Sequence, residues 1–239
     1  MVYRALAVDI DGTLTEDGGM VHLGSLSMLR VMERLGVKVI YVTGRSSVEA
    51  YILSVFGGTT RIAVGENGGV VTNGPDAHKL LADKAYPQRA YEFLRTRIEN
   101  VKLKDVFPRM TEVVLERTFD IRMAEQVLKE SRLPVTITDS KYAYHLNHVD
   151  INKAVGFRVA LDMLGINSSE SIAIGDSETD VPLFKTCGYS IALGNAEIDV
   201  QLTAKHSVAS SDGEGLVEAL DHIAYKFLGV RDGIQTLDK

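Results

Sequence analysis

Residues 7–15, Ala-Val-Asp-Ile-Asp-Gly-Thr-Leu-Thr (AVDIDGTLT), end an apolar run that begins at Ala5 and set two carboxylates two positions apart. The run 5–10 (ALAVDI) predicts a buried strand. Alternate side chains of a strand share a face, so Asp9 and Asp11 are expected on one side of it. Two like charges held that close cost free energy unless something positive sits between them. Either the pair lies at a solvated strand end, or a cation belongs to the site.

Outward from this stretch, strand-like and helix-like segments alternate, which predicts an α/β fold with a mainly parallel, Rossmann-like sheet and helices on both faces. Residues 25–35 carry apolar side chains on one helical face, and Gly36 stands at the C-terminal end. Residues 37–43 (VKVIYVT) form a continuous apolar strand of the kind buried on both faces. Ser46 to Glu49 reads as a capping box opening a helix to about residue 56. Asn67-Gly68-Gly69, between two short apolar runs, signals a hairpin.

From about residue 81 to 150 the segments become more polar. A helix is expected from Pro87 to about Ile98, a half-exposed strand over 112–118, a helix over 120–131, and strands over 134–138 and 142–146. This predicts a smaller α/β cap inserted at 81–150 into a discontinuous core, 1–80 plus 151–239. The core pattern resumes with a helix from Lys153 to Leu164, a second strand ending in a carboxylate (SIAIGD, 171–176), a strand over 189–193 and an amphipathic helix over about 214–228. The tail after Gly229 is expected to fray.

The chain has 239 residues, 45% of them hydrophobic, and a net charge of −6 from 26 basic and 32 acidic residues. No apolar run reaches the ~18 residues of a membrane span, and the N-terminus enters a strand without a leader-like pattern, which predicts a cytoplasmic protein. No basic stripe marks a helix, so nucleic acid is not an expected partner. Cys187 is the only cysteine; it excludes an intrachain disulfide, argues against a cysteine-based metal site and reads as core packing.

Ligands of a parallel α/β sheet bind outside the carboxyl ends of its strands. Three segments deliver polar groups there: Asp9 and Asp11; Thr43 and the Gly44 backbone, with Arg45 beyond; and Asp176, with Asp180 one turn later. Singly, each has an ordinary reading. An Asp caps helices, Thr-Gly makes turns, a lysine opening a helix is usually solvated, and Asp180 suits a helix dipole. None of these readings predicts all the groups on one sheet edge.

In this order the motifs resemble those of the haloacid dehalogenase superfamily of phosphohydrolases, in the branch with an α/β cap after the second motif. AVDIDGTLT resembles the first motif, VTGR (42–45) the second, Lys153 in DINKAVG the third and GDSETD (175–180) the fourth. The resemblance implies a Mg²⁺-dependent phosphomonoester hydrolase working through an aspartyl-phosphate. In that reading Asp9 is the nucleophile and Asp11 the general acid and base. Gly12, Thr43, Gly44 and Lys153 contact the phosphate, and Asp9, Asp176, Asp180 and the Asp11 backbone carbonyl hold the metal.

Family members of similar length and cap size act on 2-phosphoglycolate, the expected substrate; a sugar-phosphate phosphatase of broad specificity is the alternative, and a mutase a third reading. A small phosphorylated metabolite is then the expected partner, with a homodimer allowed for. From another class, a non-enzymatic receiver-like phospho-acceptor would also gather Asp, Thr and Lys around Mg²⁺. It has no need of an acid–base group such as Asp11. His145 and His148, on a strand and its turn, are set aside as site residues, lining of the cap's substrate face being favoured over a metal role, and Arg45 is read as a substrate contact or an ion pair with the helix that follows.

Overall fold

The computed structural model describes residues 2–16 and 18–230; the tail expected to fray lies, beyond residue 230, outside the described residues. Its elements in chain order are β1 (Ala5–Val8), α1 (Leu23–Arg34), β2 (Lys38–Val42), α2 (Ser47–Gly57), β3 (Ala63–Gly65), β4 (Val70–Gly74) and β5 (Ala77–Leu80). Then come α3 (Ala85–Arg95), β6 (Val113–Leu115), α4 (Ile121–Ser131), β7 (Val135–Asp139) and β8 (Tyr144–His148). The last group is α5 (Lys153–Leu164), β9 (Ser171–Gly175), α6 (Val181–Thr186), β10 (Tyr189–Ala192), α7 (Ile198–Thr203), β11 (His206–Ser207) and α8 (Asp212–Ile223).

The larger sheet has eight strands in the order β11-β10-β9-β1-β2-β3-β4-β5. Its ladders are parallel from β11 to β3 and antiparallel from β3 to β5. The chain leaves β1 in one direction through β2 and β3, then returns to its other side through β9 and β10, so β1 sits at the switch point where such sheets bind ligands. Strand alternation sorts the core into two layers. Leu6, Val8, Val39, Tyr41, Ile172 and Ile174 pack with α1 and α8, while Ala5, Ala7, Ile40, Val42 and Ala173 pack with α5 and α6.

The helix ends follow their sequence signals. Ser46 caps α2, its hydroxyl accepting from the Glu49 amide while the Glu49 side chain takes the Ser46 amide. Asn152 caps α5 by accepting from the amides of Ala154 and Val155, and Gly165 ends it in the left-handed region at φ 63°. Cys187 is buried among apolar neighbours, and burial pushes its thiol up to about 11. Among the described residues no helix is long and apolar enough to cross a membrane.

A second sheet, β6-β8-β7, is antiparallel throughout and carries α3 and α4. These elements share their own core, including Leu94, Leu115, Leu128, Ile137 and Leu146. Three local expectations differ. The helix from Pro87 ends at Arg95 rather than Ile98. Strand β6 is buried on both faces rather than half exposed. It is also not a free edge, because the Lys104 amide donates to the Val114 carbonyl and the Glu116 amide to that of Lys102.

The hairpin at 66–69 is not a simple two-residue turn, for Glu66 and Asn67 have φ 53° and 52° and Gly68 has φ 101°. Glu66 explains the unusual backbone. Its fully buried carboxylate accepts from the amides of Met110, Thr111 and Glu112 and from the Thr111 hydroxyl, fastening the start of β6 to the larger sheet.

Close approach of α5 to this turn sets where Lys153 lies. A Cβ on Gly156 would stand 2.5 Å from Val64 Cγ1 and 2.8 Å from the Gly68 carbonyl oxygen. Overpacking of about 1–3 kcal/mol should outweigh a helix-propensity gain of about 1 kcal/mol in Gly156→Ala. Chemical denaturation should show a lower midpoint for this variant; an unchanged or raised one would mean that the contact is loose.

Candidate active site

The ladder of β1 carries one residue beyond the strand, since the Asp9 amide donates to the Ile174 carbonyl. Asp9 thus continues the series Ala5, Ala7 and points to the α5 face. There Lys153, first residue of α5 and 2% exposed, places Nζ 2.8 Å from Asp9 Oδ2 and 2.8 Å from Asp180 Oδ1. Asp9 Oδ1 accepts from the Ile10 amide at 2.7 Å.

Strand β9 ends beside β1 and delivers the second acid. Asp176 Oδ1 accepts from the Thr13 hydroxyl at 3.0 Å, and Oδ2 from Asn195 Nδ2 at 3.1 Å. Gly12, at φ 75°, lets the chain turn against it; a Cβ there would lie 2.6 Å from Asp176 Oδ2. Asp180 is fully buried, and its Oδ2 accepts from the Asp176 and Ser177 amides and the Ser177 hydroxyl. Both of its oxygens are thereby engaged, one of them by Lys153.

Asp9, Asp176 and Asp180 can each offer an oxygen within 4.8 Å of the others, a spacing that suits a metal ion. Their charges do not balance alone, because one ammonium stands among three carboxylates. Burial, followed by the repulsion of Asp180 and Asp176 against the pull of Lys153, raises the Asp9 carboxyl well above the usual range. Burial and Asp180 push Asp176 up to about 6. For Lys153 burial works the other way, but Asp180 and Asp9 outweigh it and hold the ammonium protonated. The donor set, all hard oxygens with surplus negative charge, fits a divalent cation.

Asp11 departs from the expectation that it shares a face with Asp9. The strand stops at Val8, and the amides of Thr13, Leu14 and Thr15 all turn back onto the Ile10 carbonyl. Asp11 instead accepts both Nε and Nη2 of Arg45, at 2.9 Å and 2.6 Å. Arg45 also pairs with Glu49 on the following helix, at 3.5 Å. The opening pair of acids therefore has a separate cation for each member.

A cavity of about 950 Å³ lies above these groups, and Asp9, Asp11, Gly44, Lys153 and Asp176 line it. Gly12, Thr43 and Asp180 are not among its lining residues, and Thr43 and Asp180 are fully buried. The buried Thr43 hydroxyl accepts from the Arg45 amide at 3.1 Å. The opposite wall comes from 105–109 and from the segment 140–145 around the start of β8. In it His145 bonds Glu112 through Nδ1 at 3.0 Å and Ser140 through Nε2 at 3.1 Å. His148 receives the Asp150 amide instead. Sequence reasoning had not singled out Thr13, Asn195, Arg109 or Glu112. Thr13 stood within the first motif; the others carried no local pattern.

The comparisons agree on one family. A haloacid dehalogenase-like hydrolase model matches residues 6–132 and 116–220. A Nitrosopumilus maritimus protein named phosphoglycolate phosphatase is 50% identical over 225 residues, covering 94% of this chain and 97% of its own. One of the same name from Archaeoglobus fulgidus is 36% identical, with 95% and 97% covered. A solved Thermoplasma acidophilum structure superposes with a TM-score of 0.83 at 24% identity, over 93% of this chain and 98% of that one. Family model, relatives and fold converge: the chain belongs to the haloacid dehalogenase-like hydrolases.

Proposed function

We propose that this hydrolase is a Mg²⁺-dependent phosphatase that converts 2-phosphoglycolate to glycolate and phosphate through an aspartyl-phosphate. The observation that carries the chemistry is Asp9 on the cavity floor, held by Lys153 at 2.8 Å and backed by Asp176 and Asp180. The substrate follows from relatives of that name at 50% and 36% identity over nearly the full chain.

Asp9 attacks phosphorus with one carboxylate oxygen while the bond to the leaving alkoxide breaks, dividing one slow displacement into two steps. Lys153 pulls the raised Asp9 carboxyl back toward its ionised form and offsets charge on the phosphate. Asp11 gives its proton to the alkoxide, then takes one from the water that attacks the phosphorus and frees Asp9. Arg45 holds the Asp11 carboxylate in place through Nε and Nη2. Gly44 and Gly12 offer backbone amides near the phosphate, with the Thr43 hydroxyl behind them.

Asp9, Asp176 and the Asp11 carbonyl are the proposed metal ligands, with Asp180 acting mainly by orienting Lys153 and the 176–177 backbone. When bound, Mg²⁺ supplies the positive charge that lets a dianion approach these carboxylates. The modules 1–80 plus 151–239 and 81–150 act as catalytic core and substrate-selecting cap. The cavity of about 950 Å³ also has room for a hexose phosphate.

A panel of phosphate esters decides the substrate. Phosphoglycolate should lead in kcat/KM, and a sugar phosphate ranking above it would overturn the choice. Asp9→Asn should lose turnover while keeping its fold, because an amide is a poor nucleophile. Asp11→Asn should slow both steps by about 10²–10⁴-fold; near-normal rates there would remove it from proton transfer.

The raised carboxylates also set a pH dependence for the metal-free protein. Asp176 titrates from 3.8 unfolded to about 6 folded, so the folded state binds more protons between those values and stability falls as pH rises through that window. Adding Mg²⁺ at neutral pH should restore it, read as a higher Tm. A metal-free melting profile flat between pH 4 and 6.5 would contradict the charge surplus.

A further inference from the structure

The catalytic floor accounts for a phosphate but not for whatever the phosphate is attached to. Four cationic side chains with fixed positive charge line the cavity: Arg45, Arg109, Lys141 and Lys153. Three are committed. Lys153 lies between Asp9 and Asp180, Arg45 is clamped on Asp11, and Lys141 is largely exposed and faces Glu197 at 3.4 Å.

Arg109 is different. Its side chain is 7% exposed, yet its buried Nε and Nη1 donate no hydrogen bond. It has charged neighbours in Glu112, at 3.4 Å from Nε, and Glu49, at 4.0 Å from Nη1. Neither pair forms a hydrogen bond, and Glu112 Oε1, which faces Nε, is itself without a hydrogen-bond partner. Glu49 Oε2 is held by the Ser46 amide and hydroxyl, and Glu112 Oε2 by His145 and Asn67. The glutamates therefore hold the guanidinium by charge, with no hydrogen bond formed to it.

The backbone is equally fixed. The Arg109 carbonyl accepts from Lys84 Nζ at 2.6 Å, and the next amide donates to Glu66. A buried charged donor left unsatisfied is costly, and a rigid guanidinium fork matches a carboxylate's two oxygens.

We infer that Arg109 reads the carboxylate of the leaving group, making it the residue that selects a short phosphorylated acid over a neutral phosphate ester. Its place suits that task. Glu49 pairs with both Arg109 and Arg45, and Arg45 holds Asp11, so three ion pairs in a row link the Arg109 guanidinium to the group proposed to protonate the leaving oxygen. The inference rests on the phosphoglycolate reading above.

The test compares kcat/KM for 2-phosphoglycolate and for ethyl phosphate, which has a methyl where the former has a carboxylate, in wild type, Arg109→Met and Arg109→Lys with Mg²⁺. Wild type should prefer phosphoglycolate. Arg109→Met should lose about a hundredfold on it, mostly in KM, with ethyl phosphate changed by less than about threefold. Arg109→Lys should recover part of the preference, as a point charge lacking the fork. Equal losses on both esters in both variants would make Arg109 a structural residue, and a preference surviving in Arg109→Met would assign the carboxylate to another group; either overturns the inference alone. Wild type lacking any preference would overturn the substrate reading and the inference with it.

Discussion

A buried ammonium shared by two carboxylates is the constraint around which this molecule is arranged. Lys153 is 2% exposed, and neither it nor Asp9 or Asp180 could be left there without the others. Removing one partner from a buried pair typically costs about 3–5 kcal/mol, because the remaining charge has nowhere to go. The three residues come from distant parts of the chain, at the end of β1, the start of α5 and the turn after β9. Their union therefore fixes how those elements meet.

Backbone features serve the same end. A Cβ at Gly68 would lie 2.0 Å from the Asn152 carbonyl oxygen, and one at Gly175 would lie 2.4 Å from Asp180 Cγ. Both glycines mark places where the chain must come closer than any side chain allows. Small residues Ala5, Ala7 and Ala173 fill the sheet face beneath α5 and α6, which leaves the acidic end of β1 directly under the helix that carries the lysine. Packing and electrostatics here specify one geometry.

Much of this was legible in the sequence. The alternation of strands and helices, the Ser46 cap, the Gly165 terminus and the four motifs all depend on local patterns, and local patterns survive in a single chain. What failed was extrapolation from local rules past their limits. Period-two alternation put Asp11 beside Asp9, but the strand ended at Val8 and the turn sent Asp11 to Arg45. Strand β6 looked half exposed because alternation of apolar and polar residues reads as one solvated face, whereas Val113, Val114 and Leu115 are all buried. Glu66, Arg109, Glu112 and Asn195 were invisible for a different reason. Their meaning lies in pairings across tens of residues, and a lone Glu or Arg has no spacing to betray it.

The hold of Glu66 on residues 110–112 bears on how the smaller sheet could travel. Three amides and a hydroxyl on one buried carboxylate form a pin, not a hinge strap. A swing of that sheet that kept these bonds would pivot near them, with displacement growing with distance. Arg109, one residue away, would stay nearly still, while the Lys141–Tyr142 lip would sweep the widest arc. A closing motion about that pin would move the rim of the cavity more than the segment that carries Arg109.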